Sequence, residues 1–101
     1  MLGLARRAGK VVSGEFSVME AVKSRKAYLL LLAADASDNS KKRFKDKASF
    51  RHIPCYLAGS KEELGRAIGQ GERSAAAVLD AGFAEKIKQM LEEASETKEQ
   101  T

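Results

Sequence analysis

Tyr28 through Ala34 is the longest apolar run in the chain. Successive side chains of a strand point to opposite faces, so an unbroken apolar run of this length reads as a central strand covered on both sides. It is far short of the ~20 residues needed to cross a bilayer. Two shorter runs repeat the theme. Cys55 to Ala58 follows Pro54, which discourages helix in the residue before it, and reads as a second buried strand. Ala75 to Leu79 reads as a third.

Helical patterns alternate with these runs. Leu2, Leu4, Ala5 and Ala8 fit a short first helix stopped by Gly9, with Lys10 to Ser13 extended after it. Gly14 opens a second helix to about Arg25, with Val18, Ala21 and Val22 on its inner face. Ser17 and Glu20 also fit a capping box one turn further in, which leaves the start of this helix open. Asp35, Ser37, Asp38 and Asn39 are loop and cap residues before a third helix that ends near Phe50, with Asp35 favoured as a cap of that helix. Ser60 and Glu63 form a capping box for a fourth, with Leu64, Ala67 and Ile68 inward and Gly69 at its end. After a polar loop over 69–74, Asp80 precedes a last helix with Phe83, Ile87, Met90 and Leu91 on one stripe. The expected fold is a single α/β/α sandwich over residues 1–94, its largely parallel or mixed sheet lying between two helical layers. The polar end, 95–101, is expected to fray.

With one Cys (Cys55) and one His (His52) in 101 residues, the chain has no zinc finger, ribbon or paired redox motif. It contains neither GxxxxGK[ST] nor GxGxxG, and no cofactor or metal site is expected. The N-terminal residues lack a cleavable hydrophobic stretch, so the expected location is the cytoplasm, away from membranes. No catalytic set assembles. His52 reads as a surface or cap residue, Cys55 as a small buried hydrophobe, and Glu62 and Glu63 as first-turn acids that suit a helix dipole.

The net charge of +4 conceals a division. Residues 1–60 hold twelve Lys and Arg against five acids, +7, whereas 61–101 hold six against nine, −3. A solvated Lys-rich helix face would explain this, and so would an anionic ligand on one side. Lys41, Lys42 and Arg43 lie in or near the first turn of the third helix, where cations oppose the macrodipole at about 0.3–1 kcal/mol each. A phosphate site would accept that cost, because amide donors and cations converge there on one anion. Gly14 similarly leaves first-turn amides open to a close backbone approach, with Lys10 nearby in sequence. Aromatic residues make up 6%, too few for a broad base-stacking platform, which favours structured RNA over a splayed strand.

The stretches ARRAGKVVSG, KAYLLLLAADAS, GSKEELGRAIG and AAAVLD, in that order, resemble the ribosomal protein L7Ae superfamily, most of all its small bacterial members, over about residues 2–84. The resemblance implies a three-layer α/β/α sandwich with a mixed, mostly four-stranded sheet, and RNA as ligand. Carried over by position, the RNA-binding residues are Lys10, Ser13, Gly14, Glu15, Phe16, Ser17 and Glu20, then Ser37 and Lys41, then Glu72 and Arg73, to which the basic cluster at the start of the third helix adds Lys42. Lys10 and Gly14 match the family pattern. Phe16, Ser17 and Glu20 depart from it, because kink-turn binders carry Asn, Glu and Lys there. Phe16 can stack on a base but cannot hydrogen-bond its edge, and Glu20 repels phosphate. RNA binding is therefore more firmly implied than kink-turn specificity, since phosphate contacts position a ligand and base contacts specify it.

The leading expectation is a non-enzymatic, monomeric, ribosome-associated protein that docks on structured, kink-turn-like RNA, either ribosomal RNA or its precursor. The alternative is a protein-interaction adaptor anchored by Phe16. A small enzyme using Asp35 or His52 ranks below both.

Overall fold

A computed structural model describes residues 2–100, with side chains described as far as Glu93. The polar tail at 95–101, expected to fray, lies outside the fully described residues. The elements alternate in chain order: α1 (Leu2–Arg7), β1 (Val11–Ser13), α2 (Glu15–Lys23), β2 (Leu29–Leu32), α3 (Asp38–Phe50), β3 (Cys55–Leu57), α4 (Lys61–Ala67), β4 (Ala75–Val78) and α5 (Ala81–Gln100).

The four strands form one mixed sheet in the order β1-β4-β2-β3. β4 pairs antiparallel with β1 (Val12 opposite Ala77) and with β2 (Leu30 opposite Ala77), while β2 and β3 run parallel. β2 and β4 are therefore interior, and every residue of both is buried. Their alternate side chains feed two separate cores. Leu30, Leu32, Ala75 and Ala77 meet Val18, Ala21 and Val22 of α2 and Phe44 and Ala48 of α3. Leu29, Leu31, Ala76 and Val78 meet Leu64 of α4 and Ala84 and Ile87 of α5, with Leu2 of α1 alongside. The fold is the expected three-layer α/β/α sandwich. The leucines of β2 and the small alanines of β4 lie side by side under the same helices, so large and small side chains share each core.

Several local expectations change. β3 pairs on one side only and is half-exposed, since it is the sheet's outer parallel strand and not a buried one. Ala67 and Leu4 face solvent, and Met90 leaves the α5 stripe, where Ala84 takes the inward position. Asp38 and Asn39 lie inside α3, whose cap is Ser37, with Oγ accepting from the Ser40 amide at 3.2 Å. Asp35 caps α4 instead, its Oδ1 accepting from the Lys61 amide at 2.7 Å. β2 and β3 run parallel, so Asp35 just past the end of β2 lies beside the end of β3 and the start of α4. The Ser60–Glu63 capping box is present with both reciprocal bonds, at 3.1 Å each.

Candidate nucleic-acid interface

Strand direction places three distant segments at one end of the sheet. β1 and β2 finish where β4 begins, because both run antiparallel to it. The start of α2, the start of α3 and the loop before β4 therefore share that end.

α2 begins at Gly14, with φ 90° and ψ 148°, a backbone state that strains any L side chain. The Gly14 amide still donates to the Ala75 carbonyl at 3.2 Å, while its own carbonyl accepts the first helical bond, from Val18, at 3.0 Å. Strand becomes helix within one residue. A Ser17–Glu20 capping box is thereby ruled out, since both residues lie inside α2. No cap side chain accepts from the first-turn amides, and the space over the missing Gly14 Cβ is open to 4 Å. Phe16, in that first turn, is 81% exposed, and Ser17 and Glu20 are also exposed.

The two helix starts are tied together through Glu15. Its Oε1 accepts from Ser40 Oγ at 2.9 Å and pairs with Arg43 Nη2 at 2.7 Å. Neither Ser40 nor Arg43 is among the residues that the family resemblance implies, and Arg43 stands out in the sequence only as one of three cations near the start of α3. Their i, i+3 spacing, continued by Lys47, marks the α3 face turned toward α2, and a helical wheel would have found it. Shallow clefts flank the pair. One, about 570 Å³, is lined by Glu15, Asn39, Ser40, Lys42, Arg43 and Asp46. The other, about 510 Å³, is lined by Glu15, Phe16, Met19, Lys23, Arg43 and Lys47.

Lys41 turns back, its Nζ donating to the Ala34 carbonyl at 2.9 Å and lying 3.9 Å from Asp38 Oδ1. The cation thus serves the exposed end of β2 and partly offsets its own unfavourable place near a helix start. Ser37 is occupied as the α3 cap. From the third segment, Arg73 reaches across to β1, its Nε donating to Ser13 Oγ at 3.1 Å, while exposed Glu72 supplies a carbonyl to its Nη1 at 2.9 Å.

Lys10 is the exception. Its carbonyl accepts from the Leu79 amide beyond the far end of β4. The three residues of β1, at about 3.3 Å each, separate it from Gly14. Lys10 and Gly14 thus sit at opposite ends of β1.

Among the described residues no group of three or more His, Cys, Asp and Glu is placed to hold a metal, and no helix is long and apolar enough to cross a membrane.

A family model described as the ribosomal protein L7Ae/L30e/S12e/Gadd45 family matches residues 1–88. The "RNA-binding protein YlxQ" of Bacillus subtilis (strain 168) is 44% identical over 92 residues, covering 91% of this chain and 92% of that one. Its namesake in Enterococcus faecium is 39% identical over 92 residues, 91% and 88% of the two chains. A solved structure from Bacillus halodurans, described as a protein with unknown function, superposes with a TM-score of 0.87 at 40% identity, covering 90% of this chain and 92% of that one. The Giardia lamblia 15.5kD RNA binding protein shares the fold, with a TM-score of 0.75 at 20% identity over 89% and 77% of the chains.

Proposed function

Because the chain belongs to the ribosomal protein L7Ae/L30e/S12e/Gadd45 family, we propose that it is a non-enzymatic RNA-binding protein whose ligand docks at the Gly14 end of the sheet. The single observation that carries this reading is the convergence there of an uncapped helix start, an exposed Phe16, and cations from two further segments. Relatives named RNA-binding proteins at 39% and 44% identity point the same way.

The chemistry divides by residue. Gly14 lets the RNA backbone approach the first-turn amides of α2, where the helix dipole favours a phosphate. Arg73, Lys42 and Arg43 supply the surrounding positive charge, with Glu15 partly neutralised by Arg43. Phe16 stacks on an extruded base. Structured RNA with a sharp bend, of the kink-turn kind, presents both a clustered backbone and an unstacked base to such a surface. Ribosomal RNA or its precursor is the proposed target, bound by a cytoplasmic monomer. Lys10, at the far end of β1, would meet a more distant phosphate of the same RNA.

Titration of the protein with a kink-turn RNA and a straight duplex at several salt concentrations tests the reading. The expected log–log slope is about −0.9 per phosphate neutralised in duplex, with tighter binding to the bent RNA. Equal affinity for the two RNAs would remove the bend from the proposal, and a flat salt response would remove RNA.

A further inference from the structure

At the opposite end of the sheet, where α2 and α3 finish, a cleft of about 390 Å³ is lined chiefly by Arg25, Tyr28, Phe50, Arg51, His52 and Pro54. We propose that this cleft is a second binding site, for one unpaired nucleotide of a single-stranded RNA segment.

The backbone gives the first reason. Arg25 and His52 have φ of 62° and 59°, left-handed values that glycine adopts without strain. Each follows a helix cap and closes the helix, with the Lys26 amide donating to Ala21 at 3.0 Å and the Ile53 amide to Ala48 at 2.8 Å. After α1 and α4 the chain places Gly9 and Gly69 in the equivalent turns, both at φ 71°. Among the described residues, only beside this cleft does it keep a basic or imidazole side chain at the strained position. Ending a helix does not require that side chain, whereas a ligand would.

The side chains give the second. Phe50 is 71% exposed and Tyr28 54%. The Arg51 guanidinium carbon lies 5.4 Å from the Phe50 ring centre and Lys47 Nζ 6.0 Å. Arg51 Nε itself is buried, so the part of the guanidinium that a ligand can meet is its outer edge. No acidic residue lines the cleft. Aromatic faces and cations, with no acid among the lining residues, together select a flat, aromatic, anionic ligand, which is a nucleotide. The volume is near the lower end of ligand pockets and fits one such unit, not a duplex. Lys26 and Lys47 lie outside the lining and continue the positive charge along the surface, which a strand uses and a mononucleotide does not.

The test titrates the full chain with a single-stranded RNA of about eight nucleotides and follows backbone amide chemical shifts. Tyr28, Phe50 and His52 are expected to move, and the double variant Tyr28→Ala/Phe50→Ala to lose affinity about ten-fold or more. Both side chains are largely exposed, and unchanged β4 shifts would report an intact fold. Arg51→Gln, a milder change, is expected to flatten the salt slope by about 0.7. Shifts confined to the Gly14 end, or unaltered affinity in the double variant, would overturn the site. Equal binding of an abasic strand would overturn base stacking. Adenosine monophosphate binding as tightly as the strand would overturn the strand as ligand, and the same shifts with an acidic peptide would overturn nucleotide recognition. The outcome is separable from the proposal for the Gly14 end, because structured RNA bound only there leaves Tyr28 and Phe50 unmoved.

Discussion

Arg73 Nε donates to Ser13 Oγ across 3.1 Å, joining residues 60 positions apart in sequence. Its Nη1 donates to the Glu72 carbonyl at 2.9 Å and its Nη2 to Gln70 Oε1 at 3.3 Å. The guanidinium is thus fixed between a loop and the end of β1, so its charge has a defined place. Arg73→Gln is expected to weaken structured-RNA binding and flatten the salt slope by about 0.9. Ser13→Ala should cost roughly 0.5–1.5 kcal/mol of stability and leave the slope unchanged. Fluorescence anisotropy over a salt series, with thermal melts alongside, separates the two effects. An unaltered slope in Arg73→Gln would exclude Arg73 from the interface.

Glu15 and Arg43 face each other at 2.7 Å with both side chains substantially exposed. Breaking the pair should cost only about 0.2–1 kcal/mol of stability. Its effect on binding should be larger and opposite for the two partners. Glu15→Gln releases the Arg43 charge and is expected to tighten RNA binding several-fold. Arg43→Gln leaves an unpaired carboxylate at the interface and is expected to weaken it. If both variants shift affinity in the same direction, the electrostatic account fails.

A Cβ on Gly65 would lie 1.9 Å from the Gly71 carbonyl oxygen and 2.7 Å from its carbon. The loop leading to Arg73 therefore rests directly on α4. Gly65→Ala must push that loop outward and is expected to destabilise the protein by about 1–3 kcal/mol. It should also weaken RNA binding through displacement of Arg73, although residue 65 lies outside the proposed interface. Chemical denaturation and the binding assay, run on one preparation, measure both.

α4 is capped from two directions, by Ser60 within its own box and by Asp35 from the end of β2. Ser60→Ala and Asp35→Ala are each expected to cost about 1 kcal/mol. Amide exchange should accelerate in the first turn of α4 in both variants and stay unchanged in α3. Faster exchange at the start of α3 in Asp35→Ala would restore Asp35 to the helix that follows it in sequence.

Burial pushes the Cys55 thiol above its ordinary value of 9.0, against a smaller opposing pull from Lys45. In the unfolded chain the thiol ionises first as pH rises. The group's contribution to stability is therefore complete below 9.0 and is lost above it, on the way to the raised folded value. Denaturation midpoints should fall in the alkaline range, and Cys55→Ala should lessen that fall. Tyr56 shifts upward too, chiefly because its hydroxyl donates to Glu92 Oε1 at 2.8 Å, and will contribute to what remains. An identical alkaline decline in Cys55→Ala would dismiss the thiol.

The elements were legible in the sequence where local chemistry decides them. The apolar run at β2 and the Ser60–Glu63 box are of this kind, since each depends on residues within a few positions. What escaped depends on topology. Cys55 to Leu57 is as apolar as an interior strand, and only the strand order shows that it pairs on one side. Asp35 reads as a cap of the helix that follows it, because nothing local reveals that β3 runs parallel beside β2 and starts α4 next to it. The interface divides in the same way. Gly14, Phe16 and Arg73 were recoverable from the family resemblance, which is positional. Lys10 is near Gly14 in sequence, but the extended β1 between them sets the two at opposite ends of the strand. Glu15 was identified, but its Arg43 partner, twenty-eight positions away, required the layer geometry.

β4 lies between β1 and β2 and supplies the carbonyl to which the Gly14 amide bonds. During synthesis from the N-terminus, β1 and α2 emerge early but have no sheet to join until residues 75–78 are made. The proposed RNA surface is thus among the last features a growing chain completes, and a fragment ending before β4 would carry the interface residues without the interface.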